Sequence, residues 1–114
     1  MSAIIVHAGA WDIPDDRIQS HKDGCLKALL NAWNVLKEGG SAEEAVEEAI
    51  KAFEDNPEVD SGRGSGLNAT GIIEMDASMM NGTTFRAGAV AAVRNILNPI
   101  SLARKVMNES EHVL

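Results

Sequence analysis

Apolar and polar positions change their spacing several times along the chain, and each change marks an element. Ala3, Ile4, Ile5 and Val6 form an apolar run closed by a Gly-containing turn, which predicts a buried strand delivering His7-Ala8-Gly9-Ala10-Trp11 to its end. After Pro14, Ile18, Cys25, Leu29, Ala32 and Leu36 recur at helical intervals and predict one inward face of a helix, with His21 on its surface. Gly39-Gly40 stops that helix. Ser41-Ala42-Glu43-Glu44 has the form of a capping box, and the helix it opens turns Ala45, Val46, Ala49, Ile50 and Phe53 inward and ends before Pro57. The short connection predicts that the two helices pack antiparallel.

Asp55 to Gly71 holds Gly62, Gly64, Gly66 and Gly71 and reads as a long loop, a length that more often serves function than mere connection. Ile72–Met80 alternates Ile73, Met75, Ala77 and Met79 against Glu74, Asp76, Ser78 and Met80, as a strand with two unlike faces does. Asn81-Gly82 predicts a two-residue hairpin turn, with Thr83–Val93 returning. The small residues Ala87, Gly88, Ala89, Ala91 and Ala92 on that strand let another layer approach closely. Asn98-Pro99 predicts the start of a final helix through about Asn108, and Glu111-His112-Val113-Leu114 the opening of a further strand.

Composition narrows the partners. With 45% hydrophobic and 24% charged residues the chain has the make-up of a packed protein. Its net charge of −7, from ten scattered basic and seventeen acidic residues, disfavours a nucleic-acid surface and leaves small molecules as the expected ligands. The single cysteine, Cys25, has no partner for an internal bridge and reads as a structural thiol. Ala3–Val6 is too short for a signal peptide or a membrane span, so no membrane is expected and the cytoplasm is the default compartment.

Read for chemistry, the residues alone yield little. Gly62-Arg63-Gly64-Ser65-Gly66 lacks the Gly-Lys-Ser/Thr ending and the strand and helix of a phosphate loop. Ser65 does not sit in a Gly-x-Ser-x-Gly elbow. His7, His21 and His112 lack the spacing of a zinc site. Asp76 lies in a strand that reads as buried on both faces, so it needs a partner; tying the glycine loop or a neighbouring strand in place is the favoured role.

In order, Ile4-Ile5-Val6-His7-Ala8-Gly9-Ala10-Trp11, Glu38-Gly39-Gly40-Ser41-Ala42 with Ala45-Val46-Glu47, Phe53-Glu54-Asp55-Asn56-Pro57, Gly62-Arg63-Gly64-Ser65, Glu74–Gly82, Arg86–Val90, Asn98-Pro99-Ile100, Leu102-Ala103-Arg104 and His112-Val113-Leu114 resemble the plant-type L-asparaginase and isoaspartyl peptidase family. The resemblance spans nearly all of residues 1–114 and identifies them as a partial domain, the amino-terminal segment of the family's α subunit. It implies an α/β chain that is part of a four-layer αββα N-terminal-nucleophile hydrolase. A proenzyme of this kind cuts itself at a Gly-Thr bond. The freed threonine then hydrolyses asparagine or β-aspartyl dipeptides, its own α-amine acting as base.

That threonine lies in a carboxy-terminal segment, the expected partner, within an expected homo-oligomer, so no catalytic nucleophile is expected among these residues and the segment alone is expected to be inactive. Gly82-Thr83 looks like a cleavage junction but falls in the hairpin. The resemblance gives His7, Ala8 and Gly9 the role of a backbone brace near the nucleophile, and Asp60 the place where the family has an asparagine that contacts it. Ala8 replaces one of the family's two glycines. By position, the backbone carbonyls of Phe53, Glu54, Asn56, Val59, Ser61 and Arg63 match a loop that holds a structural sodium ion, and no organic cofactor is implied. A threonine endopeptidase of the same fold and a stand-alone binding module are the alternatives.

Overall fold

The computed structural model describes residues 2–114, and its elements run α1 (Ile18–Lys37), α2 (Ala42–Glu54), β1 (Met75–Met80), β2 (Ala87–Val93) and α3 (Pro99–Glu109). This is an α/β arrangement with one two-stranded antiparallel sheet. The expected capping box opens α2: Ser41 Oγ accepts from the Glu44 N–H at 3.2 Å while the Glu44 carboxylate accepts from the Ser41 N–H at 2.7 Å. Losing such a cap costs about 1 kcal/mol.

Alanines form the contact between α1 and α2. Ala28 and Ala32 meet Ala45, Ala49 and Ala52, with Phe53 and Val59 completing the first core. The inward face of α1 therefore differs from the expected one. His21, Gly24, Ala28 and Ala32 are buried, Cys25, Leu29 and Leu36 lie at the margin, and Ile18 is exposed. Val46, expected inward on α2, is also exposed. Small side chains let two helix backbones approach, so the stripe of smallest apolar residues is covered rather than the stripe of largest ones.

Ala3–Val6 forms no strand. Ile4 and Val6 pack against the first core while Ile5 is 92% exposed, so the segment is extended but no neighbouring strand pairs with its backbone. Glu111–Leu114 likewise is not a strand, although the Val113 carbonyl accepts from the Ala89 N–H of β2 at 2.5 Å.

β1 begins later than expected because Asn68 captures the residues before it. Its Oδ1 accepts from the N–H groups of Thr70 and Ile72, and its amide donates to Glu74, which draws Ile72 away from the ladder. The hairpin turn is also longer than two residues. Asn81 Oδ1 accepts from the N–H groups of Thr83 and Thr84, both at 2.8 Å, and the loop closes through Asn81 N–H to the Arg86 carbonyl at 2.9 Å. A side chain that satisfies two turn amides favours this wider loop over a two-residue turn. Thr83 is thereby held inside the turn.

Asp76 is exposed rather than buried, and its role is the structural one: its carboxylate accepts from the Ala92 N–H at 2.7 Å, at a bulge where Met75 pairs with Val93 and Ala77 with Val90.

α3 lies on the sheet. A Cβ at Gly88 would collide with the α3 backbone at Ala103 and Met107, so only glycine permits this approach. Met79, Ile100 and Met107 form the second core, and Ile50 of α2 packs against both cores. Asn98 stands at the N-cap of α3, but its own side chain makes no capping hydrogen bond. The Glu54 carboxylate caps α3 from α2, accepting from the Ile100 N–H at 2.9 Å and from Asn98 Nδ2 at 3.0 Å. Glu47 accepts from Ser101 Oγ at 2.6 Å and pairs with Arg104, a second tie between α2 and α3.

Candidate functional site

His7, Ala8 and Gly9 come from the extended amino-terminal segment, and Asp60 and Ser61 from the glycine loop some fifty residues later. The fold brings them to one cleft of about 650 Å³ whose apolar walls are Trp11, Ile50, Phe53 and Val59. The His7–Trp11 segment reaches the cleft because Ile4, Val6 and Ala8 are anchored on the first core at alternate positions. Beyond Ala8 the chain turns sharply: Gly9 has φ +98°, and its N–H donates to His7 Nδ1 at 3.2 Å. Only glycine takes that backbone angle without steric penalty. Ala8 has no positive φ, so the methyl group it brings is compatible with its conformation.

On the opposite side, Asp60 is exposed and its Oδ1 accepts from the Gly66 N–H at 2.9 Å, which folds the glycine loop back on itself. A polar recess of about 430 Å³ adjoins this point and is lined by Asp60, Ser61, Ser65, Asn68, Glu74 and Asp76 among others. Hydrogen bonds from Arg94 and Asn68 hold the exposed Glu74 carboxyl below its ordinary range.

The carbonyls named for a cation lie at the end of α2 and in the turn after it. Those of Phe53, Asn56, Val59 and Ser61 each accept one backbone N–H, from Asn56, Val59, Ser61 and Gly64 respectively, leaving each oxygen a second lone pair. The Glu54 carbonyl faces Gly62, which has φ +55°, and the Val59 and Pro57 carbonyls face Gly64. A Cβ at either glycine would fill this carbonyl-lined cradle. Arg63 is exposed between the two glycines.

Two groups near the cleft escape a reading of the sequence. Glu54 is 2% exposed, and burial pushes its carboxyl up despite the hydrogen bonds from Ile100 and Asn98. His21, expected on the surface, is 5% exposed, and neither ring nitrogen has a hydrogen-bond partner among the described residues. The signal for His21 is its spacing from Gly24, Ala28 and Ala32, which continues the buried alanine stripe backwards by one turn. No comparable pattern announces Glu54. Trp11 and Ile50 become cleft walls only through the packing of the amino-terminal segment beside α2.

In this α/β chain the amino-terminal turn and the glycine loop share one cleft, and comparison with known proteins shows the family. The family model described as Asparaginase matches residues 1–114. The plant-type L-asparaginase of Thermococcus kodakarensis is 52% identical over 115 aligned residues, covering 100% of this chain and 37% of that protein. That of Pyrococcus abyssi is also 52% identical, with the same coverage. The isoaspartyl peptidase/L-asparaginase of Bos taurus is 50% identical over 110 residues, 96% of this chain and 36% of its own length. The chain belongs to the plant-type L-asparaginase and isoaspartyl peptidase family. It spans a little over a third of the length of these curated relatives. Among the described residues no helix is long and apolar enough to cross a membrane.

Proposed function

We propose that this chain is the amino-terminal part of an amidohydrolase that cleaves L-asparagine, β-aspartyl dipeptides or both, through a threonine carried by a carboxy-terminal segment of the same proenzyme. The observation that carries this reading is the meeting of His7, Ala8 and Gly9 with Asp60 and Ser61 in one cleft, in a chain half identical to L-asparaginases. In the complete protein the two segments build the four-layer αββα fold, and the threonine attacks the side-chain amide carbon while its α-amine takes the hydroxyl proton. Ammonia or an amino acid leaves, and water then cleaves the resulting ester to release aspartate. The residues of this chain act by position: the His7–Gly9 turn braces the backbone beside the threonine, and Asp60 presents a carboxylate to it.

The carbonyls of Phe53, Glu54, Asn56, Val59, Ser61 and Arg63 hold a sodium ion in this reading, and the cradle over Gly62 and Gly64 is consistent with it. Hard oxygen donors suit such an ion, which here has a structural part and no chemical one.

The test is made on the protein at the length of its relatives. Intact-mass analysis is expected to find a second polypeptide beginning with threonine, and the protein to release ammonia from asparagine or aspartate from a β-aspartyl dipeptide. A single uncut chain with neither activity would overturn the proposal.

A further inference from the structure

We infer that His21 is a positioning residue for the cleft, acting through Trp11, an inference that rests on the proposed hydrolase reading only for its kinetic arm. An imidazole always carries at least one N–H, and leaving such a group buried and unpaired is costly. Among the described residues both His21 nitrogens are buried without a conventional partner, yet His21 sits on the inner face of α1. Its ring meets the Trp11 ring, 5.6 Å away between centroids and inclined at 71°. This is the edge-to-face geometry in which the positive edge of one ring meets the negative face of the other.

Trp11 follows the Gly9 turn by two residues, is 51% exposed, and walls the cleft beside His7 and Asp60. Between the half-buried Ala8 and Ile13 the segment is exposed throughout, so this contact with α1 ties down its middle. His21 thus fixes the orientation of Trp11, and with it one wall of the cleft that His7 and Asp60 share.

The experiment uses the protein at the length of its relatives, labelled with 5-fluorotryptophan, with the Trp11 fluorine resonance assigned by its loss in Trp11→Phe. In His21→Ala that resonance is expected to move towards the position of free fluorotryptophan, and in His21→Phe, which keeps a ring edge, to stay dispersed. KM for the hydrolysed substrate is expected to rise about three- to tenfold in His21→Ala with kcat nearly unchanged, and Trp11→Leu to reproduce that rise. The double variant is expected to be no worse than either single one, as for residues acting as one unit. An unmoved Trp11 resonance in His21→Ala, or additive effects of the two substitutions, would overturn the inference. Should His21→Ala not fold, an unchanged KM in Trp11→Leu would overturn it equally. The fluorine readout needs no activity, so a protein without hydrolase activity still tests the placement of Trp11.

Discussion

Asp60 shows how one atom type can decide a local arrangement. Its Oδ1 accepts from the Gly66 N–H, a bond that an asparagine carbonyl can also make, but an ionised carboxylate has no donor for the space beyond. If Asp60 faces the nucleophile as proposed, Asp60→Asn in the complete enzyme is expected to raise kcat on the order of 10-fold, the worth of one good polar contact, and to alter the pH profile. Unchanged kcat and an unchanged profile would mean that Asp60 serves only the loop. Gly62 is constrained more tightly, by both its backbone angle and the Glu54 backbone against it. Gly62→Ala is expected to destabilise the fold by about 1–3 kcal/mol and to abolish any rise in Tm produced by sodium relative to tetramethylammonium. Thermal melts in the two salts measure both effects.

At the scale of elements, two carboxylates of α2 hold α3 in place, and their surroundings move them in opposite directions. Burial pushes the Glu47 carboxyl up, but the hydrogen bonds from Ser101 and Arg104 outweigh it and leave the group below its ordinary value of 4.5. A carboxyl lowered in the folded state is deprotonated there while the unfolded chain still binds a proton, so its contribution is present above pH 4.5 and is lost as pH falls through the folded value. Glu47→Gln is therefore expected to lower stability by about 1–2 kcal/mol at neutral pH, with the gap to the parent protein closing in acid. Chemical denaturation at several pH values reads this directly, and a gap that stays constant down to pH 3 would show that the charge is irrelevant. Glu54, raised by burial, is expected to show no such gain above pH 4.5. Its value lies in satisfying the Ile100 N–H at the start of α3, which the Asn98 side chain does not cap.

Across the whole molecule, the two cores are small and much apolar surface lies outside them. Ile5, Leu67, Phe85, Leu97 and Leu114 are each more than 60% exposed. Leu67 and Leu97 line one recess with Ile72, Ile73 and Ile96, and contiguous apolar surface of this kind marks a place that another layer or partner covers. Residues 1–114 produced alone are accordingly expected to self-associate, and size-exclusion chromatography with light scattering at increasing concentration checks this. A stable monomer would favour an independent module over part of a larger enzyme.

Local features were legible in the residues because their causes are local. The Ser41–Glu44 capping box, the stop at Gly39-Gly40 and the start of α3 at Pro99 need only neighbours within four positions, and all three occur where the sequence places them. The order of motifs carried the family, since shared descent is written in the sequence itself. What depended on distant residues was not legible. Ala3–Val6 is extended but unpaired, because a strand exists only through a partner. The covered stripe of α1 follows its alanines, because helix approach is set by the smallest facing side chains. The meeting of His7 and Gly9 with Asp60, the capping of α3 by Glu54 and the burial of His21 under Trp11 each join positions that no periodicity relates, and only packing in three dimensions brings them together.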